Sequence, residues 1–234
     1  METTPTEGIA VAKRKLNIFF LLDKSGSMSG ERIAKLNDAI PRTLDALKTE
    51  VQDDNPNLRI LINVIEFSSQ VKLVTSSGGE ELDSYNWRDL TADGYTSTAG
   101  AINLLCEQLD LERMPKRGYP PVCVLVSDGY CTDSDRDYDT AIERLNREPW
   151  GKKAARIVVS IGSDIDEDAL RRFVNKYGSY VNCENAEQIV ESIRTKTTEA
   201  SLSNSESTKP RSDNDTSEDS STQDIDDVDP NDVF

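Results

Sequence analysis

Three short segments carry oxygen-bearing side chains at spacings that could assemble a cation site: Asp23-Lys24-Ser25-Gly26-Ser27, Asp93-Gly94-Tyr95-Thr96-Ser97-Thr98 and Ser127-Asp128-Gly129. Carboxylates and hydroxyls are hard donors. Without imidazole or thiolate among them, they suit Mg²⁺, Mn²⁺ or Ca²⁺ rather than zinc. The chain contains no histidine, which removes the commonest general base and the usual activator of a serine nucleophile. Its four cysteines, Cys106, Cys123, Cys131 and Cys183, form no C-x-x-C pair, so no zinc cluster is expected. Cys106 and Cys123 lie in apolar runs and read as small buried hydrophobes. Gly26-x-Met28-x-Gly30 is not followed by Gly-Lys-Ser/Thr, which excludes nucleotide binding by a phosphate loop.

Each candidate also has a plainer reading. Ser25 can satisfy backbone amides at a helix start. Asp128 and Asp133 are read as one ligand and one turn carboxylate in preference to an acid/base pair. Lys24 is read as a solvated loop charge. Asp164, Asp166, Glu167 and Asp168 are read as acids at a helix N-terminus, where they complement the dipole, rather than as a calcium site. Tyr95 and Tyr130 flank the oxygen-rich loops; the sequence leaves open whether they form a recognition rim or pack locally.

The elements that must position these groups follow from hydrophobic pattern. Leu16–Leu22 is a near-continuous apolar run, expected as a strand buried on both faces. Asp23 then stands at its carboxyl end, where open α/β sheets bind ligands. A helix is expected over Glu31–Val51, with Ile33, Leu36, Ile40, Leu44, Leu47 and Val51 on one stripe and a kink at Pro41, which cannot bond the carbonyl of Asn37. Further strands are expected at Leu58–Phe67, Val71–Val74, Val122–Val126, Arg156–Ile161 and Tyr180–Asn182. Helices are expected at Thr98–Leu109, Tyr138–Arg147, Asp166–Tyr177 and Ala186–Thr195. Alternating strands and helices predict an α/β fold with a mostly parallel sheet covered on both faces.

Net charge is −16, and its distribution is uneven. Eleven acidic residues face two basic ones between Glu199 and Phe234, leaving a mildly acidic body. Such a surface repels DNA and anionic membranes, so no nucleic-acid or membrane partner is expected. The N-terminal segment lacks a signal-peptide pattern, and no run reaches the roughly 18 apolar residues of a membrane span, which predicts a cytoplasmic protein. Residues 1–14 read as a polar leader, 15–197 as one domain, and 198–234 as an acidic tail too polar to order itself. Acids interleaved with Ile225, Val228, Val233 and Phe234 read as a solubilising tail or as a docking peptide, and a tail carboxylate could engage a cation held by the domain.

The succession of D23-x-S-x-S after an apolar strand, a threonine in the G94-Y-T96 loop and V-S-D128-G after a later strand resembles the metal-ion-dependent adhesion site of von Willebrand factor A (VWA) domains. The resemblance spans residues 15–197. It implies a three-layer α/β/α sandwich with a Rossmann-like sheet and an antiparallel edge strand around Val71–Val74. It implies metal ligation by Asp23, Ser25, Ser27, Thr96 and Asp128, with Mg²⁺ favoured and Mn²⁺ or Ca²⁺ as alternatives. Ser25, Ser27 and Thr96 would bind directly, and Asp23 and Asp128 at least partly through waters. The open position would take a carboxylate from a protein partner. FLLDKSGSMSGERIAKLND and VLVSDGYCTDS are most similar to bacterial tellurium-resistance VWA proteins of the TerY type. That similarity implies a non-enzymatic cytoplasmic adaptor in a stress system, with phosphatase or kinase partners; the alternatives are a Mg²⁺-dependent phosphohydrolase, in which the ion activates a water or polarises a phosphoryl oxygen, and a structural scaffold without metal. One departure is Ala99 in the T96-S-T-A99-G100 loop. A register one residue later would make Ser97 the ligand; Thr96 is preferred because Ala101-Ile102 then aligns with the helix start.

Overall fold

A computed structural model describes residues 13–52, 55, 58–114 and 118–202. The leader before Lys13 and the acidic tail from residue 203 lie outside the described residues. The strands are β1 (Arg14–Asp23), β2 (Leu58–Phe67), β3 (Val71–Leu73), β4 (Glu80–Glu81), β5 (Val122–Ser127), β6 (Ala155–Ile161) and β7 (Ser179–Cys183). The helices are α1 (Glu31–Ala46), α2 (Thr98–Gln108), α3 (Asp135–Arg147), α4 (Pro149–Lys153), α5 (Glu167–Arg171) and α6 (Ala186–Leu202).

The sheet runs β3-β2-β1-β5-β6-β7. β2, β1, β5, β6 and β7 run parallel to one another. β3 closes the β2 edge antiparallel, as expected, and the two-residue β4 adds to the same edge further back along β2. The order reverses at β1. The chain leaves β1 toward β2 on one side, then returns to place β5 on the other. Leu22 pairs in register with Val126, so Asp23 and Ser127 stand at one level at the carboxyl edge of this switch point.

β1 explains the three layers. Its even-numbered residues Leu16, Ile18, Phe20 and Leu22 join Leu36 and Ile40 of α1 and Ile189 and Ile193 of α6. Its odd-numbered Phe19 and Leu21 join Ile102 and Leu105 of α2 and Tyr138 and Leu145 of α3. Successive strand side chains point to opposite faces, so a near-continuous apolar run is what a sheet covered on both sides requires. Each fully buried Leu, Ile or Phe contributes about 1.5–3 kcal/mol.

Several boundaries differ from expectation. α1 runs through Pro41 to Ala46 and continues as a π-helical turn over Leu47–Gln52. The helix expected at Asp166–Tyr177 stops at Arg171. Beyond it, Phe173 and Val174 donate to the carbonyls three residues back. Asn175 then bonds the Ala154 carbonyl through its amide and accepts from the Tyr177 N–H. These side-chain bonds, one of them to a carbonyl 21 positions away, take the place of the helical ladder. Conversely, α6 continues past 197 to Leu202. Thr197 is buried, and its hydroxyl donates to the Ile193 carbonyl, while the Thr198 hydroxyl donates to that of Arg194. Both hydroxyls are thereby satisfied within the helix. No helix among the described residues is long and apolar enough to cross a membrane.

Candidate metal centre

The five residues singled out from sequence are carried by three loops at the carboxyl edge, and backbone hydrogen bonds stitch those loops together. Gly26 N–H donates to the Gly94 carbonyl at 2.9 Å, and Asp93 N–H to that of Lys24 at 2.8 Å. These bonds join the Ser25 loop to the Thr96 loop. Thr96 in turn donates its N–H to the Thr132 hydroxyl at 3.1 Å, and its carbonyl accepts from the N–H and hydroxyl of Thr132. That joins the Thr96 loop to the segment following Asp128. Gly129 permits the last loop to pass close to its neighbour. Its φ is +89°, and a Cβ there would lie 2.5 Å from the Asp166 carbonyl oxygen.

Asp23 is fully buried. Its Oδ1 accepts from the Ser25 N–H at 2.8 Å and its Oδ2 from the Ser127 hydroxyl at 2.6 Å. Ser127 Oγ itself accepts from the Gly129 N–H at 2.9 Å. The hydroxyls of Ser25 and Ser27 lie 3.0 Å apart. Ser25 and Thr96 are buried, while Ser27 is exposed at the mouth. Burial pushes the Asp23 carboxyl up to about 6, against the lowering effect of its bonds from Ser127 and Ser25; the nearby Asp128 charge adds to the rise. Its hydrogen-bond donors are all neutral.

Asp128 is also fully buried, but it is served differently. Its Oδ1 accepts from the Tyr130 N–H at 3.2 Å, and its Oδ2 from Arg32 Nη1 at 2.6 Å. Asp133, read from sequence as a turn carboxylate, reaches a helix 34 positions earlier. It accepts from the Ala99 N–H at 2.7 Å and from the Ser97 hydroxyl at 3.3 Å, capping the start of α2. The Ser97 hydroxyl is therefore directed to Asp133.

The surrounding groups have identifiable partners. Lys24 pairs with Glu66 at 3.0 Å, so it is not a freely solvated charge. The acidic cluster is divided: Asp166 caps α5 through the Ala169 N–H, Glu167 pairs with Arg171, and Asp164 accepts from the Tyr130 hydroxyl. Tyr95 is 74% exposed and Tyr130 41% exposed. A cleft of about 620 Å³ opens beside Ser27 between Arg32, Lys35, Gly162, Asn182 and Glu184. The thiols of Cys106 and Cys123 are buried and unpaired by disulfide, and burial pushes both upward, Cys106 to about 12.

Among the described residues there is no cluster of three or more His, Cys, Asp or Glu able to hold a metal. The donors at this edge are instead two carboxylates and serine and threonine hydroxyls. The set fits a hard cation, because a buried carboxylate bonded only to neutral groups retains an uncompensated charge. Sequence reasoning did not single out Ser127, Thr132 or Arg32. Ser127 was visible within V-S-D-G, whereas Arg32 lies 96 positions from its carboxylate partner and carries no local signal.

The von Willebrand factor type A domain family matches residues 17–196. Mouse inter-alpha-trypsin inhibitor heavy chain 4 is 26% identical over 166 residues; the match covers 67% of this chain and 16% of that protein. Among solved structures, a von Willebrand factor type A protein from Catenulispora acidiphila superposes with a TM-score of 0.60 at 16% identity, covering 81% of this chain and 43% of the other. Proximal thread matrix protein 1 of the mussel byssus, in a form whose adhesion-site motif is occupied by zinc, gives a TM-score of 0.54 at 13% identity, covering 80% and 49%.

Proposed function

The chain belongs to the von Willebrand factor type A domain family, commonly metal-dependent protein-interaction modules, and from that premise we propose that it grips an acidic protein partner through a divalent ion. Asp23, Ser25, Ser27, Thr96 and Asp128 hold the ion. The serine and threonine hydroxyls bind it directly, while Asp23 and Asp128 act at least partly through waters. When bound, the ion supplies a Lewis-acidic position for a partner's carboxylate. The observation that carries this reading is Asp23, a buried carboxylate served only by neutral donors at the switch point of the sheet. Engagement of the Ser97 hydroxyl by Asp133 favours Thr96 as the loop's ligand.

Mg²⁺ suits the all-oxygen set, with Mn²⁺ or Ca²⁺ as alternatives. The mussel protein shows that a related motif can also take zinc. Binding rather than turnover is the proposed activity, since the chain has no histidine to serve as a base. FLLDKSGSMSGERIAKLND and VLVSDGYCTDS favour a cytoplasmic tellurium-resistance type of system, with a phosphatase or kinase as partner.

Calorimetry with Mg²⁺ and Mn²⁺ on the full chain and on Asp23→Ala tests the proposal. The wild type is expected to bind, and the variant to lose about a hundredfold in affinity, about 2.7 kcal/mol. A wild type that binds neither ion would sink the metal reading. A partner retained equally with and without EDTA would sink its metal dependence.

A further inference from the structure

Arg32, in the first turn of α1, ties three loops to one guanidinium. Nη1 donates to the Ser27 carbonyl at 3.0 Å and to Asp128 Oδ2 at 2.6 Å, and Nη2 donates to the Asp164 carbonyl at 2.8 Å. The guanidinium lies over Gly162, whose φ is +116° and where a Cβ would stand 2.7 Å from Arg32 Nε. A side chain at position 162 would therefore push the arginine off its seat. The Arg32 side chain is 22% exposed, and that of Asp128 not at all. The pair is therefore only weakly screened by salt.

We propose that Arg32 is a built-in counter-cation of the metal centre: it competes with the divalent ion for the charge of Asp128 and leaves the loaded site needing an anionic ligand. The inference rests on the metal-binding reading above. Two carboxylates alone would neutralise a divalent ion. With Arg32 in place, the loaded centre keeps one net positive charge, which a partner's carboxylate cancels. Arg32 therefore lowers metal affinity while raising the site's demand for an acidic ligand. A staple serving only to hold the loops would have no such effect. It would lower stability equally with and without metal, and its removal would not tighten metal binding.

The test is Mg²⁺ and Mn²⁺ calorimetry at neutral pH on the full-length wild type, Arg32→Gln, Arg32→Met and Arg32→Lys, with thermal melts in EDTA and in excess Mg²⁺. Arg32→Gln is expected to bind metal about tenfold more tightly, since one competing unit charge is gone. Arg32→Lys, which keeps the charge, is expected to stay near the wild type. The Mg²⁺-induced rise in melting temperature should be larger in Arg32→Gln than in the wild type, because tighter binding to the folded state stabilises it more. Arg32→Met keeps the aliphatic stem without the charge and gives the same reading if the glutamine variant does not fold. Metal bound by all four proteins, and more tightly by the uncharged variants than by the wild type and Arg32→Lys, supports the inference. Unchanged or weaker metal binding in a folded uncharged variant overturns it and leaves the metal site standing. Absence of binding in all four proteins overturns the metal site itself.

Discussion

The two carboxylates at the edge are equally buried, yet their surroundings oppose each other. Asp23 at the end of β1 is held by a backbone amide and a serine hydroxyl. Asp128 beyond β5 is held by a backbone amide and a guanidinium. Neutral donors orient a carboxylate without cancelling its charge, so burial dominates and Asp23 is pushed up to about 6. An ion pair does cancel the charge, at the cost of committing one oxygen. One side of the switch point thus presents an uncompensated charge, and the other a charge already answered within the chain. On the proposed reading, a metal ion would be drawn by the first and would share the second.

The sharpest way to break this contrast is to neutralise each acid in metal-free protein. Asp128→Asn is expected to destabilise by about 2 kcal/mol, because Arg32 is left partly buried without its anion. Asp23→Asn is expected to stabilise by about 1–2 kcal/mol at pH 7, because it removes a buried, unpaired charge. Denaturant titration in EDTA measures both. If the two changes share a sign, the contrast is wrong.

A smaller effect should appear in pH dependence. The Asp23 carboxyl is raised from 3.8 to about 6, so between those values the folded state binds more protons than the unfolded state. Its contribution is therefore fully present below about 4 and is lost as pH rises through about 6. In EDTA, the stability difference between Asp23→Asn and the wild type should widen across that window. A difference that stays flat from pH 4 to 7 would refute the environment described for Asp23. The smallest effect is expected from Lys24→Gln. It breaks a partly exposed pair with Glu66 at the same edge and should change stability by no more than about 0.5 kcal/mol.

What was legible in the sequence followed from local chemistry. The apolar run ending at Asp23 gave a strand and its carboxyl end together, and V-S-D128-G did the same for β5. Helix α3 began three residues earlier than its periodicity suggested, because Ser134 accepts from the Asp137 N–H and starts it. What was not legible depended on distant partners. Nothing near Arg32 indicates that it meets Asp128, and nothing near Asp133 indicates that it caps a helix 34 positions earlier. The end of α5 turned on Asn175 finding a carbonyl across a loop. Long-range side-chain bonds leave no periodicity behind.

α6 has a further consequence. It starts just after the carboxyl end of β7 and packs against the turn Leu47–Gln52, which leads into the start of β2. It therefore runs from the carboxyl edge of the sheet to the opposite edge, about 25 Å over its 17 residues. β1 starts from that same opposite edge, because it runs toward Asp23. The described body thus has both of its chain ends at one pole and its candidate metal centre at the other. Such a plug can be spliced into a longer protein without its neighbours crossing the binding mouth. This agrees with a match that occupies only 16% of the mouse protein's length.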